Sequence, residues 1–475
     1  MKTAIQSRRR FMQQLAASGA LLSLHYSPAG VAATSSSTAP SYRSFEDLYR
    51  AKWKWDRVAH GTHGTNCAGN CAFNVYVKNG IVWREEQQGI YGASGDAPDY
   101  GPRGCQKGLR HAKYMYGGQR VLYPMKSVGK RGNGKWQRIS WEQATTEIAD
   151  KFLDLVVAHG PECISYGSGT QMALKRGAFC SLARFANITG VTVPEFLSGV
   201  GDLPSGVYLT LGQVHTGDTM AAVYKSRCVL VWMSNPAVTR IPDAHFFWDA
   251  KYNGTEVIAI SPEFTPTAMH SSLWLNPKPG TDTALAMAMV HVILQEGLYK
   301  ADYIKEQSDL PLLVRKDTKR LLRANELAQH DQSAASGDKF LVWDEATNAV
   351  AIAPGSGSGD GPPATLRLGA LRPMLEGSWR IDGPDGDIEV TTVFELVKLR
   401  AAEHSPESAS EITGVNPNLI RQVARKFATA EPAMIFSGYA ACKWLHGDIL
   451  QRSMLLLLSL TGNLGPEGGG LQIGN

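Results

Sequence analysis

His63, Cys67 and Cys71 stand four residues apart in His-Gly-Thr-Asn-Cys-Ala-Gly-Asn-Cys, and Cys105 follows after thirty-three intervening residues in Pro-Arg-Gly-Cys-Gln-Lys. One imidazole and three thiolates make a donor set able to close around a single metal centre. Zinc and a [4Fe-4S] cube both suit it, and ligand type alone does not separate them. A second group of polar residues lies further on, in Met-Ser234-Asn235-Pro, in Ser261-Pro-Glu263-Phe-Thr-Pro-Thr and in Pro-Gly-Thr-Asp282. Small hydroxyl, amide and carboxylate groups at such places can bind a phosphate, a ribose or a purine edge. Taken singly, each of these segments reads as a turn with a capping residue.

The elements that must position these residues follow from periodicity. Ala72 to Glu86 alternates apolar and polar residues on both sides of Asn79-Gly80, the signature of a β-hairpin, so Cys67 and Cys71 sit on the loop feeding it. Cys105 lies in a Gly/Pro-rich loop that can fold back over them. From Trp141 the pattern becomes α/β. Helical spacing over Ala144–Ala158 is followed by a short strand from Cys163 that ends in Gly-Ser-Gly-Thr, and by a helical stretch over Phe179–Ile188. Buried-strand runs at Cys228–Met233 and Glu256–Ile260 flank a helical segment over Asp243–Tyr252, and another helix runs over Ala284–Gln295. This is the grammar of a doubly wound parallel sheet, whose ligands dock at the carboxyl ends of the strands. Lys339–Arg367 reads as a solvent-exposed insertion, Asp387–Glu403 as strand then helix, Ala433–Ser437 as a buried strand, and Ile449–Leu460 as an apolar helix stopped by a glycine-rich loop.

With 475 residues the chain predicts two or three domains. Hydrophobic residues at 43% and charged residues at 19% describe an ordinary globular protein, and the net charge of +5 lacks a basic block outside the leader, which argues against a nucleic-acid partner. Residues 1–33 read as an export signal: three arginines from Arg8 followed by Phe11, then a short apolar run, then Ala32-Ala33. The paired arginine resembles a twin-arginine leader, which carries folded proteins to the periplasm; a Sec leader with extra charge is the alternative. A linker over 34–48 follows. Of the seven cysteines, three belong to the cluster pattern, and Cys163, Cys180, Cys228 and Cys442 are scattered. Cys228, inside an apolar run, reads as a buried thiol.

The motif His63-x3-Cys67-x3-Cys71-x33-Cys105, with Lys107 two residues beyond and Gly-Asp202-Leu-Pro later, resembles the catalytic subunits of molybdenum bis(pterin guanine dinucleotide) oxidoreductases of the dimethyl sulfoxide reductase superfamily. The His-first cluster and an aspartate metal ligand resemble its type II group, closest to selenate reductase, dimethylsulfide dehydrogenase and chlorate reductase, and less like nitrate reductase. The similarity runs from about Tyr49 to the last residue. It implies an iron-sulfur domain with its hairpin over 49–135 and Rossmann-like molybdopterin dinucleotide-binding domains over 136–475, with the C-terminal part of the family fold missing.

By that resemblance His63, Cys67, Cys71 and Cys105 would hold one [4Fe-4S] cluster, and Lys107 would stand between it and a pterin that Asn66 also approaches. Asp202 would be the catalytic metal ligand, its hard carboxylate suited to high-valent molybdenum. Ser234, Asn235, Ser261, Glu263 and Asp282 would face the guanine dinucleotide tails. The implied activity is oxygen-atom transfer in the periplasm. The first expectation is reduction of an oxyanion, selenate or chlorate; dimethylsulfide oxidation is the alternative. The implied partners are an iron-sulfur β subunit, a haem b γ subunit and an assembly chaperone. Two other classes stay open: a non-catalytic iron-sulfur electron-transfer subunit, which would not need Asp202, and a zinc-stabilised binding protein.

Overall fold

The computed structural model describes residues 53–61, 71–89, 104–167, 176–194, 204–213, 217–329, 337–357 and 367–473. The expected leader and linker lie outside them. The chain divides after Asp56 into two units. In the first, the Trp53 and Trp55 rings meet edge-on with centroids 5.6 Å apart. All elements below belong to the second.

Three antiparallel strands open it, β1 (Arg57–Gly61), β2 (Phe73–Lys78) and β3 (Ile81–Gln87), in that order across the sheet. The hairpin between β2 and β3 is the expected one. Asn79 and Gly80 both take positive φ, 53° and 76°, as a two-residue turn matching the strand twist requires. At the far end of this sheet Gly61 pairs with Phe73, and Phe73 with Gln87. A small hairpin follows, β4 (Met125–Ser127) with β5 (Trp136–Arg138), so these two strands pair across residue 135.

The helix Trp141–His159 begins where the Ser140 hydroxyl accepts from Gln143 N, and stops at Gly160, whose φ of 82° a side chain would resist. The strand expected from Cys163 does not form. Pro161 starts a 3-10 turn over Pro161–Cys163, and what remains is one parallel bridge between Ser165 and Thr192. Proline sets φ for the turn and supplies no ladder donor. The second expected helix runs over Arg176–Thr189.

The central sheet contains β6 (Cys228–Trp232), β7 (Glu256–Ile260) and β8 (Leu273–Leu275). Between β8 and the last two strands lies a lobe made of β9 (Leu313–Arg315), β10 (Leu341–Asp344), β11 (Ala349–Ile352), β12 (Ser378–Gly383) and β13 (Gly386–Thr392). Here the expected exposed insertion is corrected. Residues 341–352 form the β10–β11 hairpin, and Leu341, Val342 and Ala353 are buried, Leu341 in one cluster with Leu313 and Val390 and Val342 in another with Leu312 and Ala353. Residues 358–366 of the Gly/Ser/Pro stretch lie outside the described residues. The chain returns to the central sheet with β14 (Ala433–Ser437) and β15 (Gly470–Ile473). The second of these is a strand where the sequence suggested only a glycine-rich loop.

All central pairings are parallel, in the order β15-β14-β6-β7-β8. Alternate residues serve opposite faces. Leu230, Trp232, Ile258, Ile260, Ile435, Leu471 and Ile473 pack with the helices Asp282–Gln295, Pro417–Thr429 and Gly447–Leu460. Val229, Val231, Val257, Met434 and Phe436 pack on the other face with Phe247 and Ala250 of the helix Ala244–Tyr252. The helix Pro417–Thr429 shows how sequence dictates this. Asn416 caps it, Pro417 opens it, and Ile420, Val423, Ala424, Phe427 and Ala428 form one buried stripe at helical spacing.

This order is the doubly wound one, and it creates a switch point between β6 and β14, where the two connections diverge. The floor there is tight. A Cβ built on Gly438 would lie 2.2 Å from the Met233 carbonyl oxygen. The φ of Gly438 is −81°, so the constraint is steric rather than conformational. Gly438→Ala is therefore expected to cost about 1–3 kcal/mol through overpacking. Urea unfolding of the variant checks this, and an unchanged midpoint would refute it.

Candidate cluster and dinucleotide site

Of the four cluster candidates, Cys71 and Cys105 are described, while His63, Cys67 and the neighbouring Asn66 lie outside the described residues. Cys71 is buried and precedes β2 by two residues. Cys105 follows Gly104, which is packed against the Phe73 ring so closely that a Cβ there would meet Phe73 Cε1 at 2.6 Å. The Gly104 amide also donates to Gln87 Oε1 at 3.0 Å, and the Ala112 amide to Glu85 Oε2 at 3.2 Å. The loop bearing Cys105 is thus seated on the end of the sheet from which Cys71 enters. β1 ends at Gly61, paired with Phe73 at this same end, two residues before His63. Lys107 is exposed on the short helix Gln106–Leu109. Among the described residues no group of three His, Cys, Asp or Glu side chains is placed to hold a metal.

At the carboxyl end of the central sheet the predicted residues divide by environment. Asn235 Oδ1 accepts from Thr267 Oγ1 at 2.7 Å, and its carbonyl accepts from Thr239 N at 2.9 Å, so the loop after β6 is tied to the loop after β7. Ser261 is buried and its hydroxyl donates to the Glu263 carbonyl at 2.8 Å, while the Glu263 side chain is exposed. Ser234 is half-buried beside Met233, which takes a φ of 50°. Asp282 is the first residue of its helix and is buried, with Oδ1 accepting from Trp232 Nε1 at 2.8 Å. Asp202 lies outside the described residues, ahead of the helix Ser205–Leu211.

Sequence reading missed several neighbours. Trp232 looked like one more apolar strand residue, yet its indole nitrogen fixes Asp282. Arg240 and Asp243, both buried, form an ion pair just past the loop after β6, with Nε to Oδ2 at 2.8 Å. Burial raises the Asp243 carboxyl, and Arg240 pulls it back down. Gln472 on β15 is buried, its Nε2 donates to the Asp218 carbonyl at 2.6 Å, and among the described residues its Oε1 has no hydrogen-bond partner. The only signal for it was a polar residue inside an apolar tetrapeptide. Cys228 is as expected: buried, with burial pushing its thiol up to about 12 and Glu256 acting in the same direction.

These residues suit a dinucleotide-bearing group. Hydroxyl, amide and carboxylate groups stand at adjacent strand ends, and the buried Gln472 oxygen has no hydrogen-bond partner among the described residues, a feature such a group can use. The fold is that of an α/β protein of the doubly wound class, with polar side chains at the strand ends and a small preceding sheet with two thiols at one end.

Residues 120–475 match the molybdopterin oxidoreductase family, and the chain belongs to it. It is 43% identical to dimethylsulfide dehydrogenase subunit alpha of Rhodovulum sulfidophilum over 90% of this chain and 46% of that one. Perchlorate reductase subunit alpha of Dechloromonas aromatica is 42% identical over 98% of this chain and 52% of that one. Respiratory nitrate reductase subunit alpha of Haloferax mediterranei is 41% identical over 90% and 44%. Overall identity does not set this nitrate reductase apart from the other two relatives. The chain spans about half the length of these relatives. Acetylene hydratase from Pelobacter acetylenicus shares the fold, with a TM-score of 0.50 at 21% identity over 85% of this chain and 43% of that one.

Burial holds the Asp282 carboxyl above its ordinary range, with the Trp232 bond lowering it in part. Between the ordinary value and the raised one, the folded chain keeps a proton that the unfolded chain has released. The contribution to stability is thus full below that window and is lost as pH rises through it. Asp282→Asn keeps an acceptor for Trp232 and is expected to flatten this part of the pH–stability curve, gaining on the parent as pH rises. Thermal midpoints across roughly pH 4–8 test this; parallel curves for parent and variant would rule it out.

Proposed function

We propose that this chain carries the metal centres of an exported oxidoreductase that transfers an oxygen atom. The observation that carries the reading is the seating of Gly104 and Cys105 on the sheet end next to Cys71, in a chain whose residues 120–475 match the molybdopterin oxidoreductase family. Under this reading His63, Cys67, Cys71 and Cys105 hold one [4Fe-4S] cluster, and Lys107 supplies a cation beside it. Asn66 adjoins a pterin, and Asp202 is the carboxylate ligand of molybdenum. Ser234, Asn235, Ser261, Glu263 and Asp282 receive the guanine dinucleotide tails.

When bound, the molybdenum cofactor supplies two-electron oxygen-atom chemistry that side chains lack. The chain's own residues hold and orient. Trp232 keeps one Asp282 oxygen in place, and the Ser261 hydroxyl braces the loop that presents Glu263. Thr267 does the same for Asn235. Gly438 lets the turn after β14 pack directly on the Met233 carbonyl.

Reduction of an oxyanion such as selenate or chlorate is the first reading, supported by the perchlorate and nitrate reductase relatives. Dimethylsulfide oxidation is the second, supported by the relative at 43% identity. The partners proposed are an iron-sulfur β subunit, a haem b γ subunit and an assembly chaperone, with the periplasm as compartment after twin-arginine export. Among the described residues no helix is long and apolar enough to cross a membrane.

Metal and nucleotide analysis of the chain co-produced with its assembly partners tests the reading. About four irons per chain, with molybdenum and guanine nucleotide, is the expected result and leads to assays with selenate, chlorate and dimethylsulfide. Cys105→Ser is expected to lose most of the iron. Zinc as the sole metal in the assembled protein, or full iron retention in Cys105→Ser, would overturn the cluster assignment.

A further inference from the structure

We propose that Gln451 is a positioning residue that anchors the segment following Asp202 to the dinucleotide end of the central sheet. The consequence for molybdenum rests on the reading of Asp202 above; the anchoring does not.

Gln451 is fully buried in the otherwise largely apolar helix Gly447–Leu460. An amide in such surroundings costs free energy unless both ends are bonded. Both are. Its Oε1 accepts from the Gly206 amide at 2.8 Å, and its Nε2 donates to Cys442 Sγ.

The Gly206 amide belongs to the first turn of the helix Ser205–Leu211, where N–H groups have no partner within the helix. The residue ahead of that turn is Pro204, which provides no side-chain cap. Gln451, far away in sequence, supplies the missing acceptor. The seat is close: a Cβ on Gly206 would lie 2.2 Å from the Asp448 carbonyl oxygen and 2.8 Å from Gln451 Cβ. At the other end, Cys442 sits in the 3-10 turn Tyr439–Lys443, which leaves β14 through Gly438 at the switch point. One buried amide therefore joins the switch-point turn to the start of the helix that Leu203 and Pro204 connect to Asp202. A metal ligand needs its support held to within a fraction of an ångström, and Gln451 is the side chain bonded at the first described turn after it.

The first measurement is residue-resolved hydrogen exchange on the full chain. The Gly206 amide is expected to exchange well below the rate of the Ser205 and Val207 amides of the same turn; equal rates would overturn the anchoring without any variant. Gln451→Met keeps the length and apolar fit but removes both bonds. It is expected to lose roughly tenfold of the Gly206 protection, and in the metal-loaded protein to change the Mo(V) electron paramagnetic resonance line shape at unchanged iron and molybdenum content. Gln451→Glu, which retains the acceptor for Gly206, is expected to restore much of the protection. Parental exchange in Gln451→Met would refute the anchor, and lost protection with a parental Mo(V) signal would refute its role toward the metal. A parent that takes up no molybdenum refutes the reading of Asp202 instead, and exchange alone then decides the anchor.

Discussion

A parallel sheet buries both of its faces, and the rest of this chain is arranged to satisfy that constraint. The strands β6, β7 and β14 carry no solvent-facing side, so successive residues such as Val229 and Leu230 must each find an apolar partner on opposite sides. The helix Ala244–Tyr252 covers one face and the helices Asp282–Gln295, Pro417–Thr429 and Gly447–Leu460 cover the other. Covering both faces sends the connections from β6 and β14 in opposite directions. The crevice that collects Ser234, Asn235 and Gly438 is the geometrical result.

Burial at that end also sets the electrostatics. Asp243 and Asp282 are both raised by desolvation, and each is partly compensated by one specific donor, Arg240 or the Trp232 indole. Such carboxylates hold shape at a cost to stability near neutral pH, an arrangement that belongs to sites rather than to cores. Cys228 is the contrast. Its thiol is buried at the start of β6 with its ionisation suppressed, so it serves as packing.

The amino-terminal sheet solves a different problem. Its strands are short and partly exposed, and its stability comes from ties such as Gly104 to Gln87 and Ala112 to Glu85. Those ties hold Gly104 and the short helix bearing Ala112 against the hairpin. A metal centre bound there would add what the small apolar core of β1–β3 lacks. Relatives about twice as long as this chain carry further sequence against which surfaces of the kind seen on the helix Trp141–His159, with Ile148 and Val157 largely exposed, can be compared.

Local periodicity alone determined the hairpin at Asn79-Gly80, the helix Pro417–Thr429 and the strands β6, β7 and β14, because each is encoded by neighbours two to four residues apart. The cluster spacing and the polar strand-end segments were legible for the same reason, and they carried the family resemblance. Other features were not legible. Cys163–Tyr166 reads as a strand by composition, but Pro161 opens a 3-10 turn and, among the described residues, a single bridge to Thr192 remains. β15 was hidden among glycines and exists because β14 offers it an edge. The bonds from Trp232 to Asp282, from Gln451 to Gly206 and from the Cys105 loop to Gln87 join residues that no sequence window contains. Tertiary structure decided them, since a buried polar group must find its partner wherever the packed chain places one.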